Sequence, residues 1–231
     1  MKERIAVIIP VFNEVTSISK VISDLPQRVD EIVVVDNGST DATGKAAEQA
    51  GATVLLEKRK GYGHACLKGM EYLSKTPPDI LIFLDGDYSD FPEELNKVIA
   101  PILSGTADFV VGARKKVFRE AGAMTPQQVF GNALACTLMR WLYGSRFTDL
   151  GPFRSIRWKT LEQLKMQDKT YGWTVEMQLK VLRKKIPYAE IPVHYRKRIG
   201  TSKVSGTVKG TILAGVKILG WIGRFYFSKT R

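Results

Sequence analysis

Asp85-Gly86-Asp87 directly follows the apolar run 80–84. Two carboxylates one residue apart, with a glycine between them that permits a tight turn, can share one divalent cation. Oxygen ligands favour a hard cation, Mg2+ or Mn2+. Such a cation bridges a diphosphate and offsets the charge that develops as the diphosphate leaves. A D-x-D by itself also reads as a solvated acidic turn. Its place at the end of a buried run, beside two other polar clusters, favours the metal reading. One cluster is Pro10-Val11-Phe12-Asn13-Glu14, and the other is Asp36-Asn37-Gly38-Ser39. Asp36 reads either as a helix-capping turn residue or as a carboxylate that holds a base or ribose, and Glu14 either caps or binds.

The elements that must position these clusters alternate. Apolar runs at 5–9, 31–35, 53–56, 80–84 and 108–111 read as strands buried on both faces. Helical patterns at 16–25, 39–50, 63–74 and 92–103 separate them, with caps at Ser39-Thr40-Asp41 and Pro92. This order predicts an α/β fold with a mostly parallel sheet and helices on both faces. Ligands of such sheets bind at the carboxyl ends of strands, where the three clusters fall. Beyond residue 112 the pattern is less regular. Helices are predicted at 125–143, 175–184 and 208–227, short strands at 152–156 and 188–195, and a basic loop at 196–206.

The 231 residues suffice for one domain with a small appendage. Apolar residues are 44% and charged residues 25%, which excludes a disordered chain. Lys and Arg number 35 against 23 Asp and Glu, a net charge of +12 that attracts polyanions. Cys66 and Cys136 form no metal or redox spacing and suit a reducing, cytosolic location. No signal peptide and no membrane span is read. His64 and His194 are the only histidines, and His194 is read as structural.

Four stretches together carry a resemblance: 8–14, 34–41, Lys60-Gly61-Tyr62-Gly63 and Asp85-Gly86-Asp87. In this order they resemble family 2 glycosyltransferases with the GT-A fold, especially the branch that includes dolichol-phosphate mannose synthases. The likeness extends more weakly to 148–154 and 198–203. It implies a nucleoside pocket lined by Pro10, Phe12, Glu14 and Asp36, with Lys60 and Gly61 nearby. It implies that Asp85 and Asp87 handle the metal and the donor diphosphate, with Asp87 catalytic. Arg154, Arg198 and Lys203 would meet phosphates. Asn37 stands where many members have a second Asp, and Gly151-Pro152 departs from the synthases' pattern.

Members of this family invert the anomeric centre by direct displacement, so a hydroxyl acceptor requires a general base. Asp149 and Glu176 are the candidates, with Trp173 placed to stack on a sugar. A phosphate acceptor is already ionised and requires only cations, which the basic loop offers. The segment 207–231 reads as an amphipathic membrane-proximal helix, with Lys209, Lys217 and Arg224 within one third of its circumference. It follows a catalytic domain of residues 1–206, divided into a nucleotide-sugar half (1–112) and an acceptor half (113–206). The expected protein is an inverting, metal-dependent hexosyltransferase, cytoplasmic and peripheral to a membrane's cytoplasmic face. Its expected acceptor is a polyprenyl phosphate or other lipid-linked group, with a glycan or small-molecule hydroxyl as the alternative. A sugar-nucleotide pyrophosphorylase is disfavoured because no Gly-rich Thr-Arg loop follows the first strand. A non-catalytic nucleic-acid binder is disfavoured because no nucleic-acid motif accompanies the charge.

Overall fold

The computed structural model describes residues 2–200 and 208–228, without the side chains of 208, 209, 211 and 212. Seven strands form one sheet: β1 (Ile5–Val11), β2 (Glu31–Asp36), β3 (Thr53–Leu56), β4 (Ile80–Phe83), β5 (Phe109–Ala113), β6 (Arg154–Arg157) and β7 (Tyr188–Pro192). Their order is β3-β2-β1-β4-β6-β5-β7. All pairings are parallel except those of β6, which runs antiparallel to both β4 and β5. Because β6 begins where its neighbours end, with Arg154 opposite Phe83 and Val111, the segment before it reaches the same carboxyl edge.

Helices cover both faces. On one side lie α1 (Ile18–Ser23), α2 (Thr43–Gln49) and α4 (Leu95–Leu103), which bury Ile18, Val21, Ala47, Val98 and Ile102 against β1 and β4. On the other lie α3 (Tyr62–Leu73), α5 (Pro126–Tyr143), α6 (Trp158–Leu164), α7 (Trp173–Arg183) and α8 (Val208–Phe227), which complete the larger core. A fully buried Ile or Phe contributes about 1.5–3 kcal/mol, so these two layers hold the sheet edge in place. Thr125 and Gln128 form a capping box at the start of α5, and Gly144 ends that helix in the left-handed region.

Three local expectations change. The helix read from Ser39 begins at Thr43, because the cap-type residues build the loop instead. Ser39 N–H donates to Asp36 Oδ1 at 2.7 Å and Thr40 N–H to Asn13 Oδ1 at 2.8 Å. The strand read to residue 195 stops at Pro192, and α6 was not anticipated. The C-terminal helix also packs differently from its expected orientation. Trp221 and Ile222 enter the core, and Lys217 turns inward to Asp168 at 3.2 Å. Leu213, Val216, Leu219 and Phe227 face solvent. The exposed side is therefore more apolar than the charge pattern implied, while the side chains of Lys209 and Ile212 lie outside the described residues. No helix among the described residues is long and apolar enough to cross a membrane.

Candidate active site

The loops after β1, β2 and β4 enclose a cavity of about 330 Å³ at the carboxyl edge. Pro10, Phe12, Glu14, Lys60, Gly61 and Asp87 are among its lining residues, with Asp85 and Arg198 completing the charged wall. The structure thus brings together eight of the residues singled out from sequence. Lys60 Nζ lies 3.9 Å from the Phe12 ring centroid and donates to the carbonyls of Asn37 and Gly38 at 3.1 and 2.9 Å. A cation over an aromatic face fixes both groups. Gly61, at φ +138°, allows a close approach: a Cβ there would meet the Lys169 carbonyl at 2.2 Å.

Asp36 does not line this cavity. It caps the Ser39 amide, and Asn37 faces the space instead. Asn37 spends its own amide on the loop, donating to the Glu57 and Arg59 carbonyls at 3.0 and 2.7 Å and accepting from Gly61 N–H at 2.8 Å. The departure from a second Asp therefore has a structural role: an amide can donate and accept at once, and a carboxylate cannot.

The acidic pair is electrostatically uneven. Asp87 Oδ1 accepts from Ser89 N–H at 2.9 Å and Ser89 Oγ at 2.5 Å, and its Oδ2 pairs with Arg198 Nη1 at 3.0 Å. Asp85 Oδ1 is hidden from solvent with no hydrogen-bond partner among the described residues. Burial, reinforced by the charge of Asp87, raises the Asp85 carboxyl to about 7. Arg198 spans the cavity by also donating to Glu14 Oε1 at 2.7 Å. An orphaned carboxylate oxygen beside a second carboxylate fits a divalent cation. No group of three His, Cys, Asp or Glu side chains among the described residues could hold one. A cation at Asp85 and Asp87 would complete its shell with diphosphate and water oxygens, as Mg2+ does.

Asp90 was missed as a separate residue. It is 1% exposed and neither carboxylate oxygen has a partner among the described residues. Burial first, then the charges of Asp85 and Asp87, hold it well above the usual carboxylate range. Arg114 was also missed, although the strand-end rule applied to β5 would have found it one residue beyond Ala113. Tyr62, inside the Lys60–Gly63 stretch, and Tyr171 complete the cavity wall, although neither was singled out for a role.

Four further expectations are corrected. Arg154 meets no open site: it is fully buried and donates to the carbonyls of Leu150, Gly151 and Thr174. Asp149 is clamped by Arg114, with Nε and Nη2 at 2.9 and 2.7 Å and the Arg114 amide at 2.7 Å. Burial opposes its charge, but Arg114 prevails and the carboxyl sits below its usual range, which makes it a poor base. Glu176 is fully buried, accepts from the amides of Gln167 and Asp168 at 2.9 and 2.8 Å, and pairs with Lys180 at 2.7 Å. Trp173 is buried edge-on against Phe83 and stacks on no ligand surface. Lys203 lies outside the described residues. His194 bonds Glu94 at 2.7 Å between Phe91 and Phe118. Both cysteines are buried, and burial pushes the Cys136 thiol up to about 12.

A second cavity of about 740 Å³ lies between α5 and α8. Phe130, Leu134, Leu150, Ile218 and Leu219 make its walls largely apolar, and Arg114 places a cation among them. The charge of Arg114 also acts on Asp85 in the first cavity. Phe130 on its wall is 70% exposed and Trp141 on the same helix 77% exposed, so α5 carries further apolar surface into solvent.

Comparison with known proteins places this geometry among sugar transferases. A family model described as "Glycosyl transferase family 2" matches residues 6–171. An uncharacterized glycosyltransferase of Mycobacterium tuberculosis is 33% identical over 217 residues, which is 92% of this chain and 94% of that protein. The undecaprenyl-phosphate mannosyltransferase of Micrococcus luteus is 29% identical, covering 99% of this chain and 98% of its own length. Among solved structures, glucosyl-3-phosphoglycerate synthase from Mycobacterium tuberculosis superposes with a TM-score of 0.73 at 23% identity, over 96% of this chain and 80% of that one. The same enzyme in complex with Mn2+, UDP-glucose and phosphoglyceric acid has a TM-score of 0.72. These likenesses match the mostly parallel α/β sheet expected from sequence.

Proposed function

We propose a function for this chain from one premise: it belongs to glycosyl transferase family 2. It moves a hexose, with inversion, from a nucleoside-diphosphate sugar to a polyprenyl phosphate at a membrane surface. The observation that carries the acceptor is the large apolar cavity with Arg114 in its wall, open to an exposed apolar face. A small soluble acceptor gains nothing from such a surface, whereas an isoprenoid chain gains about 0.8 kcal/mol for each buried methylene. The similarity to a protein named as an undecaprenyl-phosphate mannosyltransferase supports the same reading.

In this reading Phe12 and Lys60 bound the nucleoside, and Gly61 lets the backbone approach it closely. Asp85 and Asp87 are the residues that would hold Mg2+ or Mn2+. The cation supplies charge neutralisation at the diphosphate when bound. Arg198, which lies between Glu14 and Asp87 in the cavity wall, is the cation that would meet the departing phosphate. The acceptor phosphate brings its own ionised oxygen. That oxygen forms the new bond to the anomeric carbon as the bond to the diphosphate breaks. No protein base is required, which agrees with Asp149 and Glu176 both being committed to structural partners.

The test is transfer of labelled hexose from UDP- and GDP-sugars with Mn2+ or Mg2+. A polyprenyl phosphate in vesicles is offered beside 3-phosphoglycerate in solution. Label is expected in the organic phase. Label confined to the water-soluble acceptor would overturn the lipid reading and leave the transferase class intact.

A further inference from the structure

The turn at residues 167–172 touches both the C-terminal helix and the nucleotide cavity. Its centre is Asp168, whose carboxylate is fully buried. Oδ1 accepts from the amides of Thr170 and Gly172 at 2.8 and 3.0 Å, which shapes the turn. Oδ2 faces α8, accepting from Trp221 Nε1 at 2.6 Å and pairing with Lys217 Nζ at 3.2 Å. Gly172 permits this approach, since a Cβ there would lie 2.4 Å from the Trp221 ring.

The far side of the same turn presses on the start of α3. The Lys169 carbonyl accepts from His64 N–H at 3.1 Å. Cβ atoms at Gly61 and Gly63 would meet the carbonyls of Lys169 and Asp168 at 2.2 and 2.1 Å. Gly61, Tyr62 and Tyr171, the last from the turn itself, line the nucleotide cavity. Glu176 holds the amides of Gln167 and Asp168 from behind, so the turn has no slack on that side. Contacts this close move as one body.

We propose that the 167–172 turn is a relay through which the seating of α8 sets the shape of the nucleotide cavity, with Asp168 as its positioning residue. One carboxylate serves both directions: its first oxygen folds the turn and its second latches the helix. Elsewhere on its circumference α8 exposes Leu213, Val216 and Leu219, so a contact made there is transmitted through the turn to Gly61 and Tyr62. The nucleotide part of this inference rests on the function proposed above, and the structural part does not.

Asp168→Asn separates the two directions. The amide keeps one acceptor oxygen for Thr170 and Gly172 but turns N–H groups toward Trp221 and Lys217. Trp221→Phe removes the indole donor and keeps an aromatic ring in the core. Hydrogen exchange of the full chain is followed at the α8 amides and at His64, and calorimetry with Mn2+ and UDP or GDP reads the cavity. Both variants are expected to speed exchange in α8 and at His64. The nucleotide that binds the wild type should weaken by roughly 5-fold or more, the lower end of common coupling between sites. Faster exchange in α8 with His64 and nucleotide affinity unchanged would sink the relay, as would an α8 indifferent to both substitutions. If His64 responds but neither nucleotide binds the wild type, the relay stands and the donor assignment falls.

Discussion

The nucleotide cavity and the α5–α8 face are built on opposite terms. In the first, Arg198 pairs with Glu14 and Asp87, and Lys60 holds the Asn37 and Gly38 carbonyls, across loops that the parallel strands deliver to one edge. Backbone groups fix Lys60, Asn37 and one oxygen of Asp87, and side-chain ion pairs hold Arg198. In the second, Phe130 and Leu219 line an apolar cavity and are exposed, as are Trp141 and Val216 on the same two helices. Charge and backbone define a small rigid ligand site, whereas area defines a site for something long and greasy. If the two cavities take donor and acceptor as proposed, the two ligands can be varied independently, because the sites use different physics and are linked through the charge of Arg114.

The sharpest way to break the contrast is Asp87→Ala. It should reduce transfer by more than roughly 100-fold, the scale of losing several kcal/mol of charge stabilisation, while binding to anionic vesicles stays unchanged. Initial rates and vesicle sedimentation on the same preparation give both answers. Loss of vesicle binding would mean that the two regions are not separate.

The reverse experiment is Phe130→Asp combined with Leu219→Asp. Both side chains are already exposed, so the fold should hold. The KM for a polyprenyl phosphate should rise at least about 10-fold, since burying one such side chain is worth about 1.5–3 kcal/mol. Nucleotide affinity should not move. An unchanged KM would remove the acceptor from this face.

A smaller effect concerns stability. Burial and the charge of Asp87 push the folded Asp85 carboxyl up to about 7, from an ordinary value of about 3.9 in an unfolded chain. Between those values the folded state holds a proton that the unfolded state has lost. Its contribution therefore weakens as pH rises through 7. The metal-free protein should lose thermal stability from pH 5 to pH 8, and Asp85→Asn should flatten that slope. At pH 8 the variant should melt higher by roughly 2–4 °C for each kcal/mol relieved. A variant that melts lower at pH 8 would show that the Asp85 charge is compensated.

The smallest change in turnover is expected from Glu176→Gln. Its amide N–H cannot accept from the 167–168 backbone, so melting should drop while kcat stays within roughly 2-fold, far from the 10²–10⁴-fold that removing a base costs. A large loss in kcat at unchanged melting temperature would restore Glu176 as a base.

Much of the nucleotide side was legible because its signals are local. An apolar run such as Ile5–Val11 marks a strand, and Asp85-Gly86-Asp87 must then sit at an edge. The second half of the chain was harder for physical reasons. β6 is the four-residue segment Arg-Ser-Ile-Arg, with no alternation or apolar run, and its place between β4 and β5 is set by long-range pairing. Arg154 entered as a site residue through the family resemblance and Asp149 as a candidate base, and neither signal reports burial. Their partners, the carbonyls of residues 150, 151 and 174 and the guanidinium of Arg114, appear only in three dimensions. The same holds for Glu176, whose role is to hold two amides of a turn that the sequence does not announce.

The insertion of β6 also sets a timetable for synthesis. β4 pairs on one side with β1, but its other edge waits for Arg154–Arg157, about seventy residues later in the chain. β5 likewise cannot join the sheet until β6 arrives to bridge it to β4. At roughly 5–20 residues per second on a ribosome, the apolar edge Ile80-Leu81-Ile82-Phe83 is available for several seconds before its partner exists. A nascent chain of this design therefore emerges with a sticky ribbon at its middle, and a chaperone that shields short apolar strands would find its target there.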